Sequence, residues 1–202
     1  MSHSFIKRSG ATSAAVAAGL VLLAAPAHAA QRTESAGDQA KTAASASEIA
    51  ANNAAVWASL PLNVTMTVLG KMPTLQGPID HYTQNGPTTT TGVTTLAVAT
   101  LPYSFTFDGV QNKDGRTFKS TKKKICTDIE VTYDYPVDGG HSFKLTLSST
   151  GGSATVPTDG VARSYCWSGV PTNTAMHFTY ATTGNTGGFY AYASGSGQVR
   201  YP

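Results

Sequence analysis

Two carboxylates with a strand-like spacing are the first residues in this sequence that could carry out chemistry. In the stretch DIEVTYD at 128–134, apolar residues alternate with others, so Asp128, Glu130 and Asp134 would share one face of a β-strand. Carboxylates two residues apart lie about 6.5–7 Å from each other along a strand, within the range that glycosidases use for an acid and a nucleophile or base. Asp128 and Glu130 are therefore candidate catalytic residues. The alternative is a solvated strand face opposite a core face.

In its alternation of carboxylates with apolar residues, this stretch resembles the acidic strand of laminarinase-type glycosidases. That strand carries Glu, Asp and Glu in order, whereas this chain has Asp128 and Glu130, and Thr132 or Tyr133 takes the third place. The resemblance implies a sugar-binding cleft around the strand, and the chain is short for such a cleft. We therefore favour a noncatalytic protein and keep a small glycoside hydrolase as an alternative.

The two cysteines of the chain, Cys126 and Cys166, have two interpretations. A Cys-Trp pair also occurs at the nucleophile of papain-like peptidases, but there a glycine and a second cysteine precede it, and here Arg163 to Tyr165 stand in those places. In an exported protein, two cysteines normally close into a disulfide. We predict a structural Cys126–Cys166 bridge.

A basic block is the most distinctive charge feature. One acid, Asp114, accompanies six basic residues, namely Lys113, Arg116, Lys119, Lys122, Lys123 and Lys124. Such a block can attract an anionic partner, for example teichoic acid, phospholipid head groups or an acidic protein. The alternative is a solvated loop balanced by the acids that follow it.

Two tyrosines near the C-terminus are a second candidate binding surface. Tyr190 and Tyr192 would share one face of a strand, with Ala191 and Ala193 on the other. If the alanines faced the core, the tyrosines would be exposed and could stack on a sugar or on a protein. Packing between sheets is the alternative use.

The residue pattern predicts neither a metal site nor a cofactor. His81, His141 and His177 lack the spacing of zinc ligands. Glu130, Asp134 and Asp138 do not supply the six to eight oxygens that calcium prefers.

The N-terminal residues read as an export signal. Lys7 and Arg8 precede an apolar run, and small residues at 27 and 29 predict cleavage after Ala29. Removal of residues 1–29 takes away two of the 14 basic residues and none of the 11 acidic ones, which leaves a net charge of about +1. Nucleic-acid-binding proteins are usually far more basic, so we expect no nucleic-acid partner, and no later apolar run is long enough to span a membrane.

The remaining chain divides into a sparse N-terminal segment and one β domain. Residues 30–58 are rich in Ala, Ser and Thr and predict a linker or a short helix at 45–58, with a pro-segment as an alternative. From 59 to 202 the hydrophobic period is two, and Gly- and Pro-containing turns separate the strands. A turn at 136–140 predicts a hairpin between the strands that contain Tyr133 and Phe143. We predict an all-β fold, an antiparallel sandwich of about seven or eight strands with Greek-key connections, and a flattened barrel as the alternative.

The function that this reading favours is a secreted, noncatalytic binding protein for a cell-wall polymer, another polysaccharide or an extracellular protein. A secreted peptidase inhibitor that presents the loop SGVPTN at 168–173 is a second alternative, beside the glycoside hydrolase. The oligomeric state stays open.

Overall fold

The change of sequence period near residue 60 separates a helix from a series of strands. The computed structural model describes residues 44–83, 86–87 (backbone only), 98–134, 142–183 and 191–202. The predicted signal peptide and the first part of the linker lie outside these residues.

Helix α1, Ala46–Ser59, begins with a capping box. The backbone N–H of Glu48 donates to Ser45 Oγ (3.3 Å), and the N–H of Ser45 donates to the Glu48 carboxylate (2.7 Å). The hydrogen bonds with Ser45 also hold the pKa of the exposed Glu48 carboxyl below its usual value. The helix ends at Ser59 because Leu60, which precedes a proline, is extended.

Thirteen strand segments follow within the described residues. They are β1 Val64–Gly70, β2 Ile79–Thr83, β3 Gly86–Pro87, β4 Tyr103–Val110, β5 Asn112–Asp114, β6 Phe118–Lys119, β7 Lys124–Tyr133, β8 Ser142–Leu147, β9 Ser153–Val156, β10 Ala162–Ser168, β11 Ala175–Met176, β12 Phe178–Thr183 and β13 Ala193–Arg200.

Two large sheets and one small ladder contain these strands. The seven-stranded sheet has the order β1-β10-β7-β13-β4-β2-β3, the four-stranded sheet has the order β5-β12-β8-β9, and β6 pairs with β11. Adjacent strands are antiparallel except for β2 and β4, which run parallel. The predicted all-β sandwich is confirmed. The strand segments outnumber the seven or eight expected, because several are only two or three residues long.

The predicted hairpin between Tyr133 and Phe143 is wrong. Strand β7 pairs with β10 and β13, whereas β8 pairs with β9 and β12 in the other sheet. The chain therefore crosses between the sheets after β7, and the turn sequence at 136–140 lies outside the described residues. Alternation in sequence sets which face of a strand is apolar, but it does not set which strand lies beside it.

Aromatic side chains from both sheets form the core between them. The ring centroids of Phe107 in β4 and Phe143 in β8 are 5.5 Å apart, and those of Trp167 in β10 and Phe178 in β12 are 5.0 Å apart. Glycine in β13 makes room for this packing, because a Cβ atom on Gly197 would lie 2.3 Å from the ring of Phe105.

A buried charge network holds α1 against the sandwich. The side chain of Arg163 in β10 is fully buried, and its Nε donates to Asn53 Oδ1 (2.8 Å). Its two terminal nitrogens donate to the Asp159 carboxylate at 2.7 and 2.8 Å, and Asn52 of the helix donates to the same carboxylate at 2.9 Å. Because Val56 is also buried in the core, the helix is part of the packed domain.

Candidate functional site

Among the described residues, a group of four unpaired lysines lies in a segment that we call the lysine segment (residues 119–124). Lys119 ends β6, Lys124 begins β7, and Lys122 and Lys123 lie in the turn between them. All four side chains are exposed. In the part of the chain that the structure describes, none of the four forms an ion pair.

The turn of the lysine segment is held by a buried hydroxyl group. Ser120 Oγ accepts a hydrogen bond from the Lys122 N–H (3.0 Å) and donates to the Lys122 carbonyl (2.5 Å). The backbone positions of the turn lysines are therefore fixed, and their side chains are exposed to solvent.

An uncharged loop, residues 168–175, lies beside the lysine segment, and we call it the polar loop. The two pair at both ends, where Ser168 is opposite Lys124 and Ala175 is opposite Lys119. Between these ends, Val170 N–H donates to the Lys123 carbonyl (3.0 Å) and Asn173 N–H donates to the Ser120 carbonyl (2.7 Å). The predicted inhibitor loop, residues 168–173, is part of this polar loop. No sequence pattern indicated that the loop lies beside the lysines.

The penultimate residue, Tyr201, contacts the lysine segment. Lys122 Nζ lies 4.8 Å from the centre of the Tyr201 ring, and the Tyr201 hydroxyl oxygen accepts a hydrogen bond from the Thr121 N–H (3.0 Å). Although burial raises the pKa of Tyr201, hydrogen bonds with Thr121 and Ser120 and the charge of Lys122 together lower it. Sequence reasoning missed Tyr201, since a single aromatic residue at a chain end carries no pattern.

The structure separates the other two residues of the basic block from the lysine segment. Arg116 Nη1 lies 3.3 Å from Asp80 Oδ1, and both side chains are largely buried. Lys113 lies on β5 opposite Tyr180 of the four-stranded sheet and is half-buried. The candidate anion-binding surface is therefore Lys119, Lys122, Lys123 and Lys124.

Arginine and lysine have different uses among the described residues. Each described arginine is paired with one aspartate: Arg116 with Asp80, Arg163 with Asp159 and Arg200 with Asp128. The planar guanidinium group suits such fixed pairs, whereas the ammonium group of lysine is a mobile point charge. The free positive charge of the lysine segment thus comes from lysine alone.

Asp128, a candidate catalytic carboxylate, is buried. The strand pattern had suggested instead that this face is solvated. Arg200 holds the Asp128 carboxylate with two hydrogen bonds (2.6 and 2.9 Å), and Gln198 Nε2 donates a third at 3.0 Å. Burial of the carboxyl raises its pKa, but hydrogen bonds from Arg200, Ser164 and Gln198 outweigh this and lower it. Arg200 lies 72 positions away in the sequence, so spacing gave no signal of this pair.

Glu130, the second catalytic candidate, lies two residues further along the outer face of β7 and is half-buried. Its backbone lies opposite Ser196 in the ladder with β13. In the described part of the chain, its side chain forms no ion pair or hydrogen bond. Asp128 and Glu130 therefore share one face of β7, and one of the two carboxylates, Asp128, is bound to an arginine.

The tyrosine pair is described in part. Ala191 and Ala193 are buried and Tyr192 is half-buried, whereas Tyr190 lies outside the described residues.

The predicted disulfide is confirmed. Cys126 of β7 and Cys166 of β10 lie directly opposite each other and are bonded. The bridge lies two residues from the Lys124 and Ser168 pair, so it joins the two strands that lead into the lysine segment and the polar loop.

The described histidines do not converge on a metal-binding group. His81 Nδ1 lies 2.7 Å from Thr106 Oγ1, and His177 Nε2 lies 3.5 Å from Asp114. Among the described residues no three His, Cys, Asp or Glu side chains are grouped to hold a metal, and His141 and Asp138 lie outside them.

A groove of about 280 Å³ lies between α1 and β9. Its lining is mostly neutral and includes Asn52, Ala55, Thr155 and Thr158. The one acid that lines it, Asp159, already accepts hydrogen bonds from Arg163, Asn52 and the Val161 N–H. The groove therefore offers no free charge to a ligand.

Comparisons of the chain with protein-family models, curated proteins and solved structures found no match. No helix within the described ranges has the length and apolar character needed to cross a bilayer.

Proposed function

We propose that this protein is a secreted, noncatalytic binding protein that attaches to an anionic extracellular or cell-wall polymer through its lysine segment. The observation that carries the proposal is the set of four exposed lysines without ion-pair partners among the described residues. A polymer with repeated anionic groups can meet several of these lysines at once, and its release of counterions would drive binding. The disulfide is consistent with export, because such bonds persist in oxidising compartments.

The test is depletion of the purified protein by bacterial cell wall and by insoluble anionic and neutral polysaccharides, at low and at high salt. We expect Lys122→Gln with Lys123→Gln to weaken binding to anionic matrices about tenfold at low salt, and high salt to weaken wild-type binding by at least as much. The matched control is Lys71→Gln with Lys144→Gln, which removes the same charge from exposed lysines elsewhere. Depletion that resists salt, or equal losses in both double variants, would contradict the proposal.

A secreted peptidase inhibitor is a second candidate, because the polar loop has a fixed backbone. Val170 is buried, and backbone hydrogen bonds hold the loop at Val170, which donates to Lys123, and at Asn173, which donates to Ser120 within the exposed residues 172–175. The test is a panel of serine, cysteine and metallopeptidases assayed with this protein at micromolar concentration. If the protein slows none of them, the inhibitor function is excluded. The buried ion pair of Asp128 gives a glycoside hydrolase no comparable support.

A further inference from the structure

The polar loop beside the lysine segment has a chemistry of its own. Ser168, Thr172, Asn173 and Thr174 are exposed and uncharged. The Thr174 hydroxyl donates to the Thr172 carbonyl (3.4 Å), and within the described residues the side chains of Ser168, Thr172 and Asn173 form no hydrogen bond. Hydroxyl and amide groups both donate and accept hydrogen bonds, whereas the lysine ammonium groups only donate.

The backbone holds these groups in place before any ligand arrives. The backbone of Asn173 has a φ of 59°, which lies in the left-handed region, and its N–H donates to the Ser120 carbonyl. The side chain of Val170, within the loop, is buried, so it anchors the loop from which the exposed residues project. A preordered surface of this kind lowers the entropy cost of binding.

We propose that the ligand of this surface is an anionic polysaccharide, whose acidic groups meet the lysine segment and whose sugar hydroxyls hydrogen-bond to the polar loop. This inference rests on the proposed function. The charged segment and the uncharged loop lie side by side, so one polymer strand can contact both. A sugar hydroxyl donates and accepts, as Thr172 and Asn173 do, whereas an inorganic polyphosphate chain presents almost only acceptors. The loop can donate hydrogen bonds to either polymer but can accept them only from the polysaccharide, so it adds more affinity for a polysaccharide than for polyphosphate.

The experiment compares dissociation constants for alginate, an anionic polysaccharide that keeps its ring hydroxyls, and for inorganic polyphosphate, at equal ionic strength. The loop variant combines Thr172→Val, Asn173→Gly and Thr174→Val, in which glycine suits the left-handed φ at 173. We expect its affinity for alginate to fall about tenfold and its affinity for polyphosphate to fall by about threefold or less, because polyphosphate uses only the donors of the loop. A control with Thr65→Val and Thr67→Val removes exposed hydroxyls from β1 and should bind both probes as the wild type does. Thermal unfolding of each variant shows whether the fold is kept.

The outcomes separate the two proposals. If the loop variant binds both probes as the wild type does, or loses affinity for both equally, the polysaccharide assignment is overturned and anion binding stands. If Lys122→Gln with Lys123→Gln leaves both affinities unchanged, the lysine segment is not the site and the proposed function fails. If the wild type binds neither probe, both proposals are overturned.

Discussion

At the scale of single residues, the buried guanidinium group of Arg163 is the strongest determinant of how the helix packs. It has no solvent access, so every N–H that it carries depends on a protein acceptor. The helix supplies one acceptor through Asn53, and it supplies Asn52 as a further donor to the same Asp159. The sequence did not predict the contacts of Arg163 with the helix. Arg163 lies on a strand whose other inward residues, Tyr165 and Trp167, are aromatic, so no polar pattern indicated a buried charge there.

Replacement of Asn53 by Ala should lower the free energy of unfolding by about 1–3 kcal/mol, because the Arg163 Nε–H then loses its buried acceptor. Urea denaturation measures this. The control is Asn112→Ala, which changes an exposed residue on β5 and should shift stability by no more than about 0.5 kcal/mol. Equal stability of the two variants would show that the Arg163 contact with the helix is dispensable.

The pair of Asp128 and Arg200 should make stability depend on acidity. The pKa of Asp128 is lowered in the folded protein, since its hydrogen bonds outweigh the effect of burial. A carboxyl with a lowered pKa adds stability that is fully present above its unfolded value of about 3.9 and is lost as pH falls through the folded value. Asp159, held by Arg163 and Asn52 against the opposing effect of burial, has a lowered pKa as well and acts in the same direction.

We therefore expect the unfolding free energy to be nearly constant from about pH 7 to pH 5 and to fall below about pH 4. Asp128→Asn should cost about 1–3 kcal/mol at pH 7 and much less once the pH has fallen through the lowered pKa of the folded wild-type carboxyl, where that carboxyl has also lost its charge. Denaturant titrations at several pH values measure both effects. A constant difference between variant and wild type across this range would contradict the assignment.

At the scale of elements, the disulfide joins two neighbouring strands that are already paired in register. Strands β7 and β10 run antiparallel from the Arg163 and Ile129 pair to the Ser168 and Lys124 pair, with the bridge between these ends. The bridge adds a covalent link to a hydrogen-bonded ladder, so its effect on stability comes largely from restricting the unfolded chain.

Replacement of both cysteines by alanine should lower the free energy of unfolding by up to about 4 kcal/mol, because the bridge closes a loop across a sequence separation of 40. The measurement is denaturant unfolding of the oxidised protein and of the double variant. Under strong reductant the two proteins should unfold alike. A difference that persists in reductant would mean that the alanines disturb packing instead.

The elements themselves were largely predictable, and their neighbours were not. A hydrophobic period of two is visible in β4, β7, β8 and β12, because one face of each strand must be apolar to form the core. Pairing depends on contacts between distant residues, so the β7 to β8 connection was misread as a hairpin. The parallel entry of β2 beside β4 had no local signal either.

At the scale of the whole molecule, the candidate site could be predicted in part. The run of lysines was visible because like charges are adjacent in the sequence, and the structure keeps four of them together. Arg116 does not belong to the exposed lysine segment, because it forms an ion pair with Asp80, 36 positions away in the sequence. The polar loop lies beside the lysines through strand register and two backbone hydrogen bonds, and composition encodes neither.

Because the described arginines are paired and the lysines of the lysine segment are not, the surface charge and the folding of this protein can change separately. Every described arginine belongs to an internal ion pair, and the lysine segment contributes to none of them. Acetylation of exposed amines removes their charge and would therefore change what the surface attracts and leave the interior intact. The same independence would let substitutions at Lys119, Lys122, Lys123 and Lys124 change the surface charge at little cost to the fold, whereas the buried Ser120 between them is held by the turn.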